Sequence, residues 1–108
     1  MKLAYRGAPV DPAQEPALRR SILLALSRFQ DWIRHATLAW HEEVGPAAGG
    51  TAVTCELRLR FQNGESGSAS GTGPDLVQAL HSAAVRAARL SERHWSAHHP
   101  QLPPGRQP

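Results

Sequence analysis

The stretch from Thr72 to Trp95, TGPDLVQALHSAAVRAARLSERHW, decides the fold. Its apolar residues recur at intervals of three and four, which is the spacing of one face of an α-helix. They are Leu76, Ala79, Leu80, Ala83, Ala87 and Leu90. Thr72 and Asp75 form a capping-box-like pair and Pro74 suits a first helical turn, so the helix is expected to begin here. Because alanines dominate the apolar face, this helix should lie close to the sheet that it covers.

Arginine lies off the apolar face of this predicted helix. Arg86, Arg89 and Arg93 point toward solvent in this arrangement. Arginine supplies 11 of the 12 basic residues in the chain, and the formal net charge is +3. Arginine suits phosphate recognition because its planar guanidinium donates paired hydrogen bonds. The charge pattern mildly favours a nucleic acid or another polyanion as partner; the alternatives are a solvated helix face and an arginine content that reflects only genomic base composition.

Length and composition restrict the class of protein. The 108 residues form one domain that can bury a modest core. No apolar run approaches the roughly 18 residues that span a bilayer. A single cysteine, Cys55, excludes an internal disulfide, so a cytoplasmic location is expected. The sequence has no paired carboxylates, nucleophilic triad or metal-ligand set, so we expect no enzyme, cofactor, small-molecule substrate or membrane partner.

Four segments with alternating apolar residues predict strands, and a second segment with helical periodicity precedes the longest strands. The predicted strands are Lys2–Arg6, Ile33–Glu42, Ala52–Phe61 and Glu65–Ser70, and the first helix is Pro16–Phe29. The expected fold class is α+β with the order β-α-β-β-β-α, both helices packing on one face of a four-stranded mixed sheet. The first two strands should be parallel and the others antiparallel.

Finer features follow from individual residues. Ile33 is out of phase with its strand, which predicts a bulge. Asn63-Gly64 predicts a tight hairpin turn, and the Gly/Ser-rich segment after it predicts a weak edge strand. Residues 44–50 are expected to form a flexible hairpin loop. Residues 1–97 should form the domain, and the proline-rich segment 98–108 should be a disordered tail.

Three segments carry a resemblance to a known family. They are Ala25-Leu26-Ser27-Arg28-Phe29 with Asp31 and Ile33; Cys55-Glu56-Leu57-Arg58-Leu59; and Asp75-Leu76 followed by Gln78-Ala79, Ala83-Ala84, Arg86 and Arg89-Leu90. In this order and spacing they resemble the ribosome hibernation-promoting factor and RaiA family, also called the sigma-54 modulation family. The resemblance covers about residues 20–93 and is greatest with the short, stand-alone bacterial members.

The resemblance implies a function in translation regulation under stress. Members of this family bind the small ribosomal subunit, contact rRNA through basic side chains and block the channel for mRNA and tRNA. The long members pair ribosomes through an additional dimerisation domain, which this sequence lacks, so ribosome pairing through it is not expected. The expected oligomeric state is a monomer.

Seven arginines are the candidate RNA contacts. Arg28, Arg86 and Arg89 match basic positions of the family. Arg19 and Arg93 lie on the outer faces of the predicted helices, and Arg58 and Arg60 lie on the open face of the sheet with Lys2 and Arg6.

Differences from the family keep a second hypothesis open. Ile22 and Ala25 occupy positions where the family usually has basic residues, and Glu92-Arg93 replaces a lysine pair. The alternative is a protein-interaction or stress-regulatory module that kept the fold without tight rRNA binding.

Other chemically distinctive residues have structural explanations. His94 and His98 could share a helix face, but no Cys, Asp or Glu lies near them at ligand spacing in the sequence and the helix should fray there, so no metal site is predicted. Cys55 points into the predicted core. Gly71-Thr72-Gly73 lacks the residues of a phosphate loop and is interpreted as a turn and cap. The three tryptophans, Trp32, Trp40 and Trp95, are expected to pack in the core or at its rim.

Overall fold

A four-stranded sheet with the strand order β1-β2-β3-β4 forms one layer of the computed structural model, which describes residues 1–7, 10–44 and 51–100. The chain order is β-α-β-β-β-α, as the sequence predicted. Its elements are β1 (Lys2–Gly7), α1 (Glu15–Ala25), a short 3₁₀ helix (Ser27–Phe29), β2 (Ile33–Val44), β3 (Thr51–Phe61), β4 (Ser66–Gly73) and α2 (Leu76–His98). β1 and β2 are parallel, and the other neighbouring strands are antiparallel.

The alternation along the strands separates a buried sheet face from an open one. On β3 the inward residues are all buried, as predicted: Val53, Cys55, Leu57, Leu59 and Phe61. Arg58 and Arg60 alternate with them and are exposed. Apolar residues of α1 and α2, including Ile22 and Leu80, join the buried face in one core. Both helices therefore cover the same face of the sheet.

The predicted bulge at the start of β2 is present. Ile33 pairs with Phe61 and His35 pairs with Arg60, so the register shifts between Ile33 and His35. The extra residue, Arg34, is exposed, whereas Ile33 is buried. The bulge thus allows Ile33 to enter the core although it is out of phase with the rest of the strand.

The first helix is shorter than predicted. The α-helical geometry stops at Ala25, because Leu26 has backbone angles outside the helical range (φ −104°, ψ 9°). The Ser27 hydroxyl donates to the carbonyl of Leu24 at 3.1 Å, which satisfies one of the last helical acceptors. The prediction that the helix continues to Phe29 is therefore wrong, although Phe29 is buried at the end of the 3₁₀ turn.

The predicted start of the second helix is also wrong. Thr72 belongs to β4 and pairs with Thr54, so β4 runs to Gly73 instead of ending at Ser70. The cap is Asp75, whose Oδ1 accepts a hydrogen bond from the backbone N–H of Gln78 at 2.8 Å. Because pairing in the sheet holds Thr72 in extended conformation, the next polar residue in the chain becomes the N-cap.

The second helix ends later than predicted. Trp95 is 2% exposed and anchors the last turns, so α2 continues to His98 where fraying and a tail were expected. Residues 101–108 of the predicted tail lie outside the described residues. So do residues 45–50 of the predicted hairpin loop, while Val44 belongs to β2.

A seam of very small residues brings α2 against β4. A Cβ atom at Gly71 would lie 2.4 Å from both the backbone O of Ala79 and the backbone N of Ala83. Such distances are far below van der Waals contact, so only glycine permits this approach. The alanine face of α2 thus packs closely on the sheet, as the sequence predicted. Within the described parts of the chain, neither helix has the length and apolar character that crossing a membrane requires.

Candidate nucleic-acid interface

Three arginines of α2 form a row beside the edge strand β4. Arg86, Arg89 and Arg93 are spaced by three and four residues, so they project from one side of the helix. With Ser68, Ala69, Ser70 and Leu90 they line an open groove, here called the arginine groove. All three arginines are exposed, and their position beside β4 follows from the close approach of α2 at Gly71.

Arg86 also contacts the edge of the sheet directly. Its Nη1 donates a hydrogen bond to the backbone carbonyl of Ser70 at 2.9 Å. This contact fixes the guanidinium at the middle of β4 and leaves it exposed to solvent. Arg89 and Arg93 extend the positive charge along the groove toward the C-terminal end of α2.

A second basic surface lies on the open face of the sheet. It is lined by Arg6, His35, Thr37, Glu56, Arg58, Leu59, Arg60, Ser66, Gly67 and Ser68, and is here called the sheet-face patch. The strand register places Lys2, His35 and Arg60 in one cross-strand row. Arg58 is paired with Glu56, its Nε lying 2.5 Å from Oε1. This ion pair reduces the local positive charge around Arg58.

The arginine groove and the sheet-face patch meet at β4. Ser68 lines both surfaces, and the exposed serines of β4 alternate toward the open face. Five of the seven predicted arginines therefore border one edge strand: Arg58, Arg60, Arg86, Arg89 and Arg93. An extended polyanion that passes around this edge can contact both surfaces.

The remaining two predicted arginines lie elsewhere. Arg28 belongs to the 3₁₀ helix, where its guanidinium lies 5.4 Å from the centre of the Phe29 ring. Arg19 lies on α1 and forms an ion pair with Glu15 at 3.0 Å. Neither residue lines the arginine groove or the sheet-face patch. Arg28 therefore does not share a groove with Arg86 and Arg89, with which the sequence prediction grouped it.

The Arg19 ion pair belongs to a contact between β1 and α1. Tyr5 donates its hydroxyl to Glu15 Oε1 at 2.9 Å, and Arg19 Nε donates to the same oxygen. Hydrogen bonds from Arg19 and then from Tyr5 lower the pKa of Glu15. Burial, followed by the hydrogen bond to Glu15, raises the pKa of Tyr5. In this arrangement Arg19 and Tyr5 both contact Glu15, which connects α1 to β1.

The cysteine and the tryptophans, which could have had a catalytic or base-stacking role, lie in the core or at its rim, as predicted. Cys55 is 1% exposed, and burial raises the pKa of its thiol to about 11. A thiol in this state is a poor nucleophile at neutral pH. Trp95 is buried, and Trp32 and Trp40 are half-buried at the rim of the core.

Sequence reasoning missed one cluster of side chains. Glu65, in the turn between β3 and β4, lies beside His94 and His98 at the C-terminal end of α2, with His98 Nε2 2.8 Å from Glu65 Oε1. Trp32 contacts both histidine rings. No local sequence signal brings these residues together, because their proximity depends on how α2 lies along β4.

Fold and surface together define a small α+β domain with arginine along one sheet edge. Its fold is similar to that of the N-terminal domain of Protein Y from Thermus thermophilus, with a TM-score of 0.62, 17% identity and coverage of 86% of this chain and 94% of that domain. It is equally similar to a ribosomal subunit interface protein from Coxiella burnetii, with a TM-score of 0.62, 14% identity and coverage of 88% and 96%.

These neighbours match the ribosome hibernation-promoting factor family, so the resemblance predicted from the sequence is confirmed for the fold. At these identities the similarity shows the fold alone. No protein-family model matches the sequence, and no curated protein matches it.

Proposed function

We propose that this protein is a ribosome-associated translation modulator that binds small-subunit rRNA and sterically blocks the channel for mRNA and tRNA. The observation that carries the proposal is the set of five arginines bordering β4. It occurs on a fold that is shared with a protein described as a ribosomal subunit interface protein. The proposal includes a cytoplasmic, bacterial setting and a role in ribosome hibernation under stress.

The proposed mechanism is steric occupancy of the channel and involves no chemical step. Guanidinium groups along the arginine groove donate hydrogen bonds to RNA phosphates, which position the protein and supply salt-dependent affinity. Structured RNA offers its backbone and its shape more readily than its base edges. A groove that meets a polar sheet face at one strand suits this type of recognition, because successive phosphates can contact both surfaces.

The test is co-sedimentation with small ribosomal subunits at about 50 mM and about 200 mM salt. The double variant Arg89→Ala/Arg93→Ala removes two groove arginines and leaves the Arg86–Ser70 hydrogen bond in place. We expect weaker binding and a salt dependence that is flatter by roughly two units, about one for each lost phosphate contact. Exposed helix substitutions should change stability by less than about 0.5 kcal/mol each.

The matched control is Arg20→Ala/Arg34→Ala. Both residues are exposed and neither lines the two basic surfaces. Each double variant lowers the net charge by two, so any difference between them reports contacts and not long-range attraction. Equal binding and equal salt dependence of the two variants would exclude the arginine groove as the interface.

A second candidate function is a protein-interaction module, which the outer face of α1 favours. Leu23 and Leu24 are 38% and 69% exposed there, in a shallow depression with Pro16, Arg19 and Arg20. Contiguous apolar surface of this kind, when rimmed by polar residues, is typical of contacts between proteins. If the wild-type chain shows no salt-sensitive sedimentation with ribosomal subunits, this function replaces rRNA binding as the better explanation.

A further inference from the structure

Three potential metal ligands converge where the β3–β4 turn lies beside the C-terminal end of α2. His94 and His98 are one helical turn apart, and Glu65 reaches them from the turn. One donor atom from each residue lies within 4.8 Å of the others. The Glu65 Oε1 atom is 2.8 Å from His98 Nε2 and 3.8 Å from His94 Nε2. Ligand atoms of one tetrahedral zinc ion lie about 3.3 Å apart, so side-chain movements of about half an ångström bring these two contacts to that separation.

The surroundings of Glu65 and His98 orient them as metal ligands. His98 Nδ1 lies 2.8 Å from the backbone carbonyl of His94, and a carbonyl can only accept, so this ring nitrogen carries a hydrogen. The His98 Nε2 atom lies 2.8 Å from Glu65 Oε1 and donates to that carboxylate, so zinc would displace the Nε2 hydrogen and bind this nitrogen in its place. Metal-bound histidines typically donate their other ring nitrogen to a carbonyl or carboxylate in this way. Asn63 supports the carboxylate, because its Nδ2 donates to Glu65 Oε1 at 2.6 Å.

His94 contributes a ring nitrogen that lacks a partner. Within the described residues, its Nε2 is the buried side-chain polar atom without a hydrogen bond. Such atoms are uncommon because desolvation without a partner costs free energy. His94 Nδ1 accepts the Trp32 indole N–H at 2.9 Å, so the ring is neutral. A neutral imidazole is the form that binds metals.

We propose that Glu65, His94 and His98 bind one zinc ion, with a fourth position open to water. Two imidazoles and one carboxylate form a donor set that Zn²⁺ accepts in proteins. Two of the ligands belong to α2 and the third to the β3–β4 turn. Bound zinc would therefore join the end of the helix to the sheet, a role that is separate from rRNA binding.

Trp32 opposes the binding of this ion. Its indole Nε1–H lies 2.9 Å from His94 Nδ1, and an indole can only donate, so Nδ1 accepts and the ring hydrogen is on Nε2. Zinc coordination by Nε2 requires this hydrogen to leave and the neutral ring to carry its hydrogen on Nδ1 instead. The Trp32 hydrogen bond is then lost. Trp32 thus lowers the affinity for zinc. Its contacts with the histidine rings make its fluorescence a reporter of zinc binding.

The experiment is a calorimetric and fluorescence titration of the full chain, without an affinity tag, with zinc chloride at pH 7.5. We expect one zinc ion per chain. Glu65→Gln and His98→Ala should each weaken binding by at least about tenfold, because they remove direct ligands. Trp32→Phe should tighten binding, because it removes the competing indole donor. Circular dichroism establishes that each variant is folded.

A second histidine–carboxylate pair provides the matched control. His41 Nε2 lies 3.1 Å from Glu43 Oε1 on the exposed end of β2, away from the α2 terminus. His41→Ala should leave zinc affinity unchanged. Absence of one-to-one binding, an equal loss in the His41 variant, or full affinity in either ligand variant would overturn the site. Weaker binding by folded Trp32→Phe would overturn the role assigned to Trp32.

Discussion

Cys55 is a residue whose environment determines the reactivity of its thiol. Its side chain is 1% exposed and lies on the inward face of β3, whereas its sequence neighbours Thr54 and Glu56 lie on the opposite face. Burial raises its pKa to about 11, so little thiolate exists at pH 8 even where a reagent can enter. Reaction therefore requires that the sheet opens or that the chain unfolds.

Labelling with a chromogenic disulfide reagent at pH 8 tests this assignment. We expect the native protein to react slower than a small-molecule thiol by orders of magnitude, since reaction depends on opening of the fold. Unfolding in urea should restore fast labelling of the one cysteine. Fast labelling of the native protein would contradict the core position of Cys55.

Glu15 makes a pH-dependent contribution to the stability of the fold. Hydrogen bonds from Arg19 and then Tyr5 lower its pKa from the ordinary value of 4.5. The folded pKa is therefore below the unfolded pKa. The carboxylate stabilises the fold fully above pH 4.5, and this stabilisation is lost as pH falls through the lower folded pKa.

Urea unfolding of the wild type and the Glu15→Gln variant across acidic pH checks this direction of the pH dependence. The wild type should have the higher free energy of unfolding at pH 7, and the difference should shrink as the pH falls below 4.5. High salt should also reduce the difference, because the Arg19 pair is on the surface. A difference that is constant with pH would show that the charge of Glu15 does not contribute.

At the scale of elements, the packing of α2 on β4 depends on Gly71. An alanine methyl there would lie 2.4 Å from two backbone atoms of α2, and a helix backbone cannot move away locally. Overpacking of this kind costs about 1–3 kcal/mol. We expect Gly71→Ala to be at the upper end of that range or above it, as measured by urea unfolding.

The neighbouring residue supplies the control for this prediction. Ser70 points to the opposite, exposed face of β4, so Ser70→Ala should change stability by less than about 0.5 kcal/mol. The Arg86 contact survives in this variant because it uses the backbone carbonyl of Ser70. Equal stability of the Gly71 and Ser70 variants would show that α2 can move away from the sheet.

Helices and strands with a strong hydrophobic periodicity could be predicted from the sequence, but the residues at which they begin and end could not. Alternation along β3 and the three–four spacing of α2 are local signals, so both faces were assigned correctly, including the position of Arg86, Arg89 and Arg93. The start of α2 depended on whether Thr72 paired with Thr54, 18 residues earlier. A local capping signal carries no information about such pairing. The glycines of β4 indicated a weak strand, whereas in the structure they admit the helix.

At the scale of the molecule, the end of α2 is tied to the sheet. His98 contacts Glu65, and the His99 ring stacks on buried Trp95 with a centroid distance of 4.4 Å. Deleting residues 98–108 should therefore lower the free energy of unfolding by about 1 kcal/mol relative to deleting residues 101–108, since an aromatic pair contributes about 0.5–1.5 kcal/mol. Thermal unfolding of the two truncated chains measures the difference. Identical midpoints would show that the helix end contributes nothing.

The cluster of Glu65, His94 and His98 is a property of the molecule that no local pattern predicts. A Cβ at Gly67 would meet Leu90, so these two positions are level on β4 and α2. Two strand residues back from Gly67 cover roughly 6.6 Å, which a helix covers in about four residues. Glu65 is therefore level with His94. This correspondence depends on the β4–α2 register, which only the three-dimensional fold provides.

The hydrogen bond from Arg86 to the Ser70 carbonyl has a consequence for behaviour in concentrated solution. β4 is an edge strand, and unpaired carbonyls along an edge can recruit a strand from another molecule. Arg86 occupies one of these acceptors, and Arg89 and Arg93 place like charges along the same border. Two such edges repel each other before their backbones can pair. The arginines proposed to hold RNA would then also protect the free protein from aggregation.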